Sequence, residues 1–280
     1  MKDDVFELFG GEELKEPVFK LGRSSAEFSY YDFASNREAF ARGQKDARPY
    51  IEGGCFYRLR GRTKLSYTLL SFNDPQEAWD QIKAKKLAGI PVRGVAWTTP
   101  CPEGIPTKKS DVEFWVTDID DMVKKNGKPV TKLRNAWVEG LELRPPTREE
   151  AAVVFDAWVK WADSRHFMVF KGHYKEWLRR HFDQESPGTR LTGFFMKGSP
   201  VGIFGTETVG DVGVVVVAKH MPELKPNVLW VRGLQDTGTH RILCGSTADT
   251  FKSRLGMLSE RSWAFDLSGV VSQEKDAEDE

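Results

Sequence analysis

The sequence predicts an α/β protein: a mixed, twisted sheet flanked by helices, with an incomplete N-terminal half joined to a complete C-terminal half. Two observations predict it. Between Arg190 and Leu258 the chain reads strand, strand, strand, helix, strand, helix. A shorter series of hairpin, helix and strand lies near 55–98, and hairpin, helix and strand recur near 190–245. No period of 20–50 residues repeats in the sequence itself, so the echo is one of elements only.

Taken in order, 1–53 reads as an irregular leader with scattered aromatics and a polar, partly helical stretch, NREAFARGQKDAR, expected on the outside of the domain. Residues 54–146 form the N-terminal half. CFYRLR and KLSYTLLSF flank a Gly61-Arg62 turn as a hairpin. Asp74 then caps a helix with Pro75 at its first position and Gly89 at its end. PVRGVAWTT is the next strand and CPEGIPTKKSD a Pro/Gly loop. VEFWVTDIDDMVKKNGK gives a strand and a short acidic helix, and a further strand ends at Arg144.

Residues 147–271 form the C-terminal half. After Pro145-Pro146-Thr147, REEAAVVFDAWVKWADSRHF is an amphipathic helix with Ala152, Phe155, Val159 and Ala162 on its apolar stripe and Trp158 and Trp161 beside it in the core. HYKEWLRRHFDQ is a second helix. The hairpin RLTGFFMKGSPVGIFGTE, the apolar strand DVGVVVVAKH, the helix LKPNVLWVRGLQD, the strand ILCG and a capped helix follow. The acidic tail 272–280 is expected to be disordered.

Composition narrows the function. Lys+Arg and Asp+Glu both total 41, so no net field favours nucleic acid or an anionic membrane. The three cysteines, Cys55, Cys101 and Cys244, are odd in number and widely spaced, which argues against a disulfide scaffold or a zinc knuckle and for a reducing cytoplasm. The acidic N-terminus lacks the apolar core of a signal peptide, and the longest aliphatic run, Val214 to Ala218, is too short to span a bilayer. A soluble, cytoplasmic protein without membrane insertion is expected. No dinucleotide loop, phosphate-binding loop, HExxH or GxSxG occurs.

Two stretches resemble a known family. FWVTDIDDMVKKNGKPVTKLRNAW, with Gly127, Lys128, Lys132, Arg134 and Asn135, is similar to a segment of the GNAT-like acyltransferase superfamily in its FemAB-like and phosphatidylglycerol-lysyltransferase-like branch. CGSTADTFKSRLGM resembles that branch's closing helix through Asp249, Lys252 and Gly256. Together they cover about a seventh of the chain. The resemblance implies a GNAT-like fold and transfer of an acyl or aminoacyl group to an amine or hydroxyl, with acyl-CoA or aminoacyl-tRNA as donor. One feature departs from it. Ordinary acetyl-CoA enzymes of the superfamily hold pyrophosphate on a glycine-bearing loop after the fourth strand. Here MPELKPNVLW follows, without glycine and with two prolines that cannot donate a backbone hydrogen bond. The conventional CoA loop is therefore absent from the sequence, and the donor stays open between acyl-CoA and aminoacyl-tRNA.

Acyl transfer needs a deprotonated acceptor, a donor to the carbonyl oxygen and a hold on the anionic handle. Lys132 and Arg134 alternate on a strand and can clamp an anion together, or form a charged outer face. His173 and Tyr174 open a helix as a base and an acid, although His173 also shares a face with Trp177. His220 ends the apolar strand, where reacting groups gather in such folds, or is a surface residue. Trp230, in the next helix, can stack on a cofactor or fill the core. Asp249 and Lys252 enter through the resemblance, and Ser246-x-x-Asp249 is sufficient as a helix cap. Cys244 reads as a buried apolar residue.

The expected function is an N- or O-acyltransferase acting on a small-molecule or macromolecular acceptor, with tRNA or DNA as further partners and no metal. Two rivals share the fold. One is a nucleic-acid base-modifying transferase, of the size of phage-encoded enzymes, which requires a basic face around Lys175, Arg179 and Arg180. The other is a non-catalytic binding or assembly module.

Overall fold

The computed structural model describes residues 34–43, 46–61, 65–72, 74–97, 107–116, 138–165, 171–209, 212–239, 241–245 and 249–267. The chain forms two compact units. Unit 1 holds Met1–Asp32, Phe40–Asp111 and Arg261–Glu280, and unit 2 holds Phe33–Ala39 and Val112–Glu260.

In unit 1, β1 (Ala47–Glu52), β2 (Cys55–Arg60) and β3 (Ser66–Phe72) run antiparallel. Gly53 and Gly54 turn β1 into β2 with positive φ of 47° and 65°, the left-handed geometry a two-residue hairpin loop requires. Helix α2 (Pro75–Leu87) crosses to β4 (Val92–Trp97), which pairs parallel with β3. Asp74 caps α2 by accepting the Glu77 N–H at 2.9 Å. Tyr50, Tyr57, Tyr67, Leu69, Trp79, Ile82 and Val92 fill the core between sheet and helix. Burial there would strand the Lys85 ammonium, and a pair with Glu52 satisfies it.

Unit 2 begins its sheet with β6 (Leu141–Arg144). Helix α3 (Arg148–Ser164) follows, with a reciprocal cap between Thr147 and Glu150, and then α4 (Lys171–Phe182). The strands β7 (Thr189–Met196), β8 (Ser199–Val209) and β9 (Val212–His220) form an antiparallel meander that extends β6. Helix α5 (Pro226–Thr237) crosses to β10 (Arg241–Leu243), parallel with β9, and α6 (Asp249–Leu255) follows. The two faces of β8 separate the helices. An added Cβ on Gly205 would meet the Trp177 ring of α4 at 2.6 Å, whereas Phe204, next in line, packs over Gly233 of α5. The echo seen in the sequence is therefore a repeated structure, β1-β2-β3-α2-β4 and β7-β8-β9-α5-β10.

The closing strands exchange places. β5 (Thr107–Val116), which follows β4 in sequence, pairs antiparallel with β10, while β11 (Leu258–Asp266) returns to pair antiparallel with β4. The sequence reading did not include β11, in which the polar run Ser259-Glu260-Arg261-Ser262 masks the strand character.

Three other readings change. The stretch 34–52, expected in an external leader, holds α1 (Ala34–Arg42) and β1, and Asn36 and Ala39 are fully buried. Its buried face is partly polar, so hydrophobic periodicity does not reveal it. β5 begins at Thr107, inside the expected loop, because no glycine or proline interrupts TKKSD. The buried stripe of α3 is Ala151, Val154, Phe155, Trp158 and Ala162, rotated from the expected one, and Trp161 lies half exposed at 49%. The short acidic helix expected after β5 lies outside the described residues.

Candidate functional site

The sheet of unit 2 opens at the C-terminal end of β9. Pairing with β10 covers only Val212–Val214 against Arg241–Leu243. Immediately beyond, Gly205 faces Val217 while Thr206 faces Val215, so Val216 is an extra, bulged residue of β9. A bulge bends and re-aims its strand. Past it, Val217–His220 remains paired with β8 alone among the described residues, because β9 runs on beyond the end of β10.

The two residues at the end of this free edge face opposite ways. Lys219 lies across from Ile203 and His220 from Gly202. A Cβ on Gly202 would meet Leu224 and Leu229 beside α5, so His220 lies on the α5 face and Lys219 on the α3/α4 face. His220 Nδ1 is 2.9 Å from the carbonyl oxygen of Met221. A carbonyl only accepts, so Nδ1 carries the proton in the neutral ring and Nε2 presents its lone pair. That is the arrangement a general base needs.

Lys219 was not among the residues selected from sequence. Its Nζ lies 4.1 Å from the ring centroid of Trp158 on α3 and 4.1 Å from that of Tyr174 on α4. These rings meet edge to face at 5.6 Å and 77°. The ring faces attract an ammonium. Burial, and then the neighbouring Lys252 ammonium, oppose it and bring the amine down to about 7. The legible signal was a lysine in the inward register of an apolar strand, aligned with Val217.

The other expected residues fall into three groups. His173 is buried at 3% exposure, and its Nε2 lies 2.7 Å from Asn36 Oδ1. Asn36 and Ser35 in turn donate backbone N–H groups to the buried Glu207 carboxylate. His173 thus belongs to the seat of α1, bonded to Asn36. Tyr174 stacks on His173 at 5.2 Å, and burial raises its hydroxyl pKa, so it stays neutral.

Trp230 and Lys252 form the second group. Trp230 packs edge to face on Phe204 at 5.5 Å. Lys252 is buried and donates to the carbonyl oxygens of Cys244 and Gly245 at 2.6 and 2.8 Å, tying α6 to the residues just past β10. Both serve packing in this arrangement. Cys244 is buried as expected, and burial pushes its thiol up to about 12, so it is no nucleophile at neutral pH.

The third group escapes description. Lys132, Arg134 and Asn135 lie outside the described residues, as does Ser246. Asp249 is the first residue of α6 by its backbone.

The loop between β9 and α5 offers little to a pyrophosphate. Pro226 occupies the first helical position, and Lys225 makes no side-chain cap. The Val228 and Leu229 N–H groups are already bonded to Lys225 O, and Leu224 N–H to Met221 O. The arginines considered as a basic face are matched by carboxylates. Arg179 reaches Glu176, Asp183 and Glu185 at 2.9, 2.7 and 2.8 Å, and Arg180 reaches Glu185 at 3.3 Å.

An antiparallel meander, a crossover helix to a parallel strand and a bulged strand parting from that neighbour define the GNAT-like fold. No protein-family model and no curated protein matches the sequence. Solved structures do. A conserved protein of unknown function from Bacteroides thetaiotaomicron matches with a TM-score of 0.59 at 11% identity, covering 85% of this chain and 90% of that one. FemX matches at 0.56 and 9% identity, over 82% and 91%. L-PGS from Bacillus licheniformis matches at 0.55 and 12% identity, over 81% and 86%. The last two lie in the branch of the superfamily that the sequence resembles. No described helix is long and apolar enough to cross a membrane.

Proposed function

We propose that this chain is an acyltransferase that moves an acyl or aminoacyl group onto an amine or hydroxyl acceptor. The observation that carries the reading is the end of β9. A strand bulged at Val216 parts from β10 and presents His220 with its proton fixed on Nδ1 and its lone pair on Nε2. His220 Nε2 would take the proton of the attacking amine or hydroxyl and return it to the leaving group. Of the two histidines expected to serve as base, His220 suits the role, because His173 is buried and bonded to Asn36. Lys132 and Arg134 would hold the anionic part of donor or acceptor, as the resemblance implies.

The proline-bearing loop before α5, where the Leu224, Val228 and Leu229 N–H groups are bonded internally, favours an aminoacyl-tRNA or another donor held elsewhere over a conventionally seated coenzyme A. The fold shared with FemX and L-PGS supports the same direction. Matching of Arg179 and Arg180 by carboxylates speaks against the nucleic-acid base-modifying alternative. A screen of acyl-CoAs and aminoacyl-tRNAs for binding and transfer tests the reading. Transfer from one donor class, reduced in Arg134→Ala and His220→Ala, supports it. Absence of binding by every donor refutes it.

A further inference from the structure

We infer that the turn 221–224 is a tautomer clamp for His220, and that Leu224 and Pro222 are positioning residues acting through it. The inference deepens the proposed role of His220 as base and rests on that reading for its consequence in transfer.

A neutral imidazole can carry its proton on either ring nitrogen, and the hydrogen bond at one of them selects the form. Here the selecting group is the Met221 carbonyl oxygen, 2.9 Å from Nδ1. That residue is held on both sides. The Met221 N–H donates to Val201 O at 2.8 Å, which continues the β8–β9 ladder past His220. The Leu224 N–H donates to Met221 O itself at 3.1 Å and closes a β-turn. A backbone carbonyl oxygen has two lone pairs, so it accepts from the turn and from the imidazole together. Without the turn it would be free to swing towards water, and Nδ1 would lose the acceptor that selects its proton.

Two side chains fasten the turn. Leu224 is 1% exposed and lies against Gly202, which faces His220 across the ladder. A Cβ on Gly202 would come within 2.6 Å of Leu224 Cδ2, so the turn is pinned to the core beside the histidine's own strand pair. Pro222 is exposed and stands second in the turn, where its fixed φ favours the bend. The proline that withholds an N–H from a phosphate thereby gains a use. Among the described residues the His220 ring has no other hydrogen-bond partner, so the Met221 carbonyl decides the tautomer. With the proton on Nδ1, Nε2 keeps the lone pair that would take the acceptor's proton.

Nitrogen NMR of the histidine-labelled, intact protein at about pH 9, where imidazoles are ordinarily neutral, tests this. His220→Ala identifies the His220 signals by their loss. The parent is expected to show Nδ1 protonated and Nε2 unprotonated. The ratio of Nδ1–H to Nε2–H should fall about fivefold in Leu224→Ala, which removes the anchor. It should fall about threefold in Pro222→Gly, which loosens the turn from the surface without touching the core. Leu234→Ala, an equal truncation buried further along α5, should leave the ratio unchanged. An Nε2–H ring in the parent, an unchanged ratio in Pro222→Gly, or an equal fall in Leu234→Ala overturns the proposal. If Leu224→Ala does not fold, Pro222→Gly decides alone. The spectrum needs neither donor nor acceptor, so the clamp can fail while transfer is found and hold while transfer is absent.

Discussion

Glu207 Oε2, on β8, accepts the backbone N–H of Asn36 at 2.8 Å, joining residues 171 positions apart in the sequence. Its second oxygen accepts the Ser35 N–H at 2.8 Å, so one buried carboxylate satisfies two donors in the first turn of α1. Replacing the acceptor strands both donors away from water. Glu207→Ala is expected to destabilise the fold by about 3 kcal/mol, and Glu207→Gln by less, since it keeps one acceptor oxygen. Chemical denaturation measures the difference. Equal stability of Glu207→Ala and the parent would show that this seat contributes nothing.

Gly233 sets two effects against each other. In a helix interior, glycine to alanine ordinarily gains about 1 kcal/mol. At Gly233 the new methyl would fall inside contact distance of the Phe204 ring, which is itself fixed edge to face on Trp230. Overpacking of a well-filled core costs about 1–3 kcal/mol and wins. Gly233→Ala should therefore lower Tm, and a higher Tm would show that the ring has room to move.

Lys219 links stability to pH. Its folded value of about 7 lies below the ordinary 10.5, so the unfolded chain binds the extra proton between those limits. Stability from this group is complete above about 10.5, falls as the pH falls towards 7, and changes little below. Relative to Lys219→Met, the parent should lose up to about 1 kcal/mol per pH unit between pH 9.5 and 7.5. Denaturation at four pH values decides it. A difference independent of pH would mean an ordinary, solvated ammonium.

His220 separates chemistry from structure. Loss of a positioned general base lowers rate by about 10²–10⁴-fold. His220→Ala is expected to show that loss in acyl transfer with an unchanged circular dichroism spectrum, because among the described residues the ring is bonded only to its neighbour Met221. His173→Ala should do the reverse, destabilising the protein through loss of the buried hydrogen bond to Asn36.

Local rules made much of the fold legible. Asp74-Pro75 started α2, Pro145-Pro146-Thr147 marked the start of α3, and the stretch RLTGFFMKGSPVGIFGTE formed the β7–β8 hairpin, turning at Lys197-Gly198. What escaped was made by distant partners. The polar inner face of α1 has meaning only once Glu207 is beneath it, and the stripe of α3 was misplaced because Ala152 and Ala151 are indistinguishable without the sheet. β11 closes a sheet whose other strands lie far upstream, and its leading LSER carries no strand signature. In the site, His220 was visible as a strand-end histidine. Lys219 was marked only by its inward register on an apolar strand, because its character comes from Trp158 and Tyr174 on two separate helices.

The central claim is acyl transfer at the parted end of β9, and a donor screen addresses it most directly. Purified protein is incubated with labelled acyl-CoAs and aminoacyl-tRNAs together with amine and hydroxyl acceptors. The account predicts binding and turnover with one donor class, at least about 100-fold slower in His220→Ala. No binding by any donor, or turnover unaffected in both His220→Ala and Arg134→Ala, would contradict it.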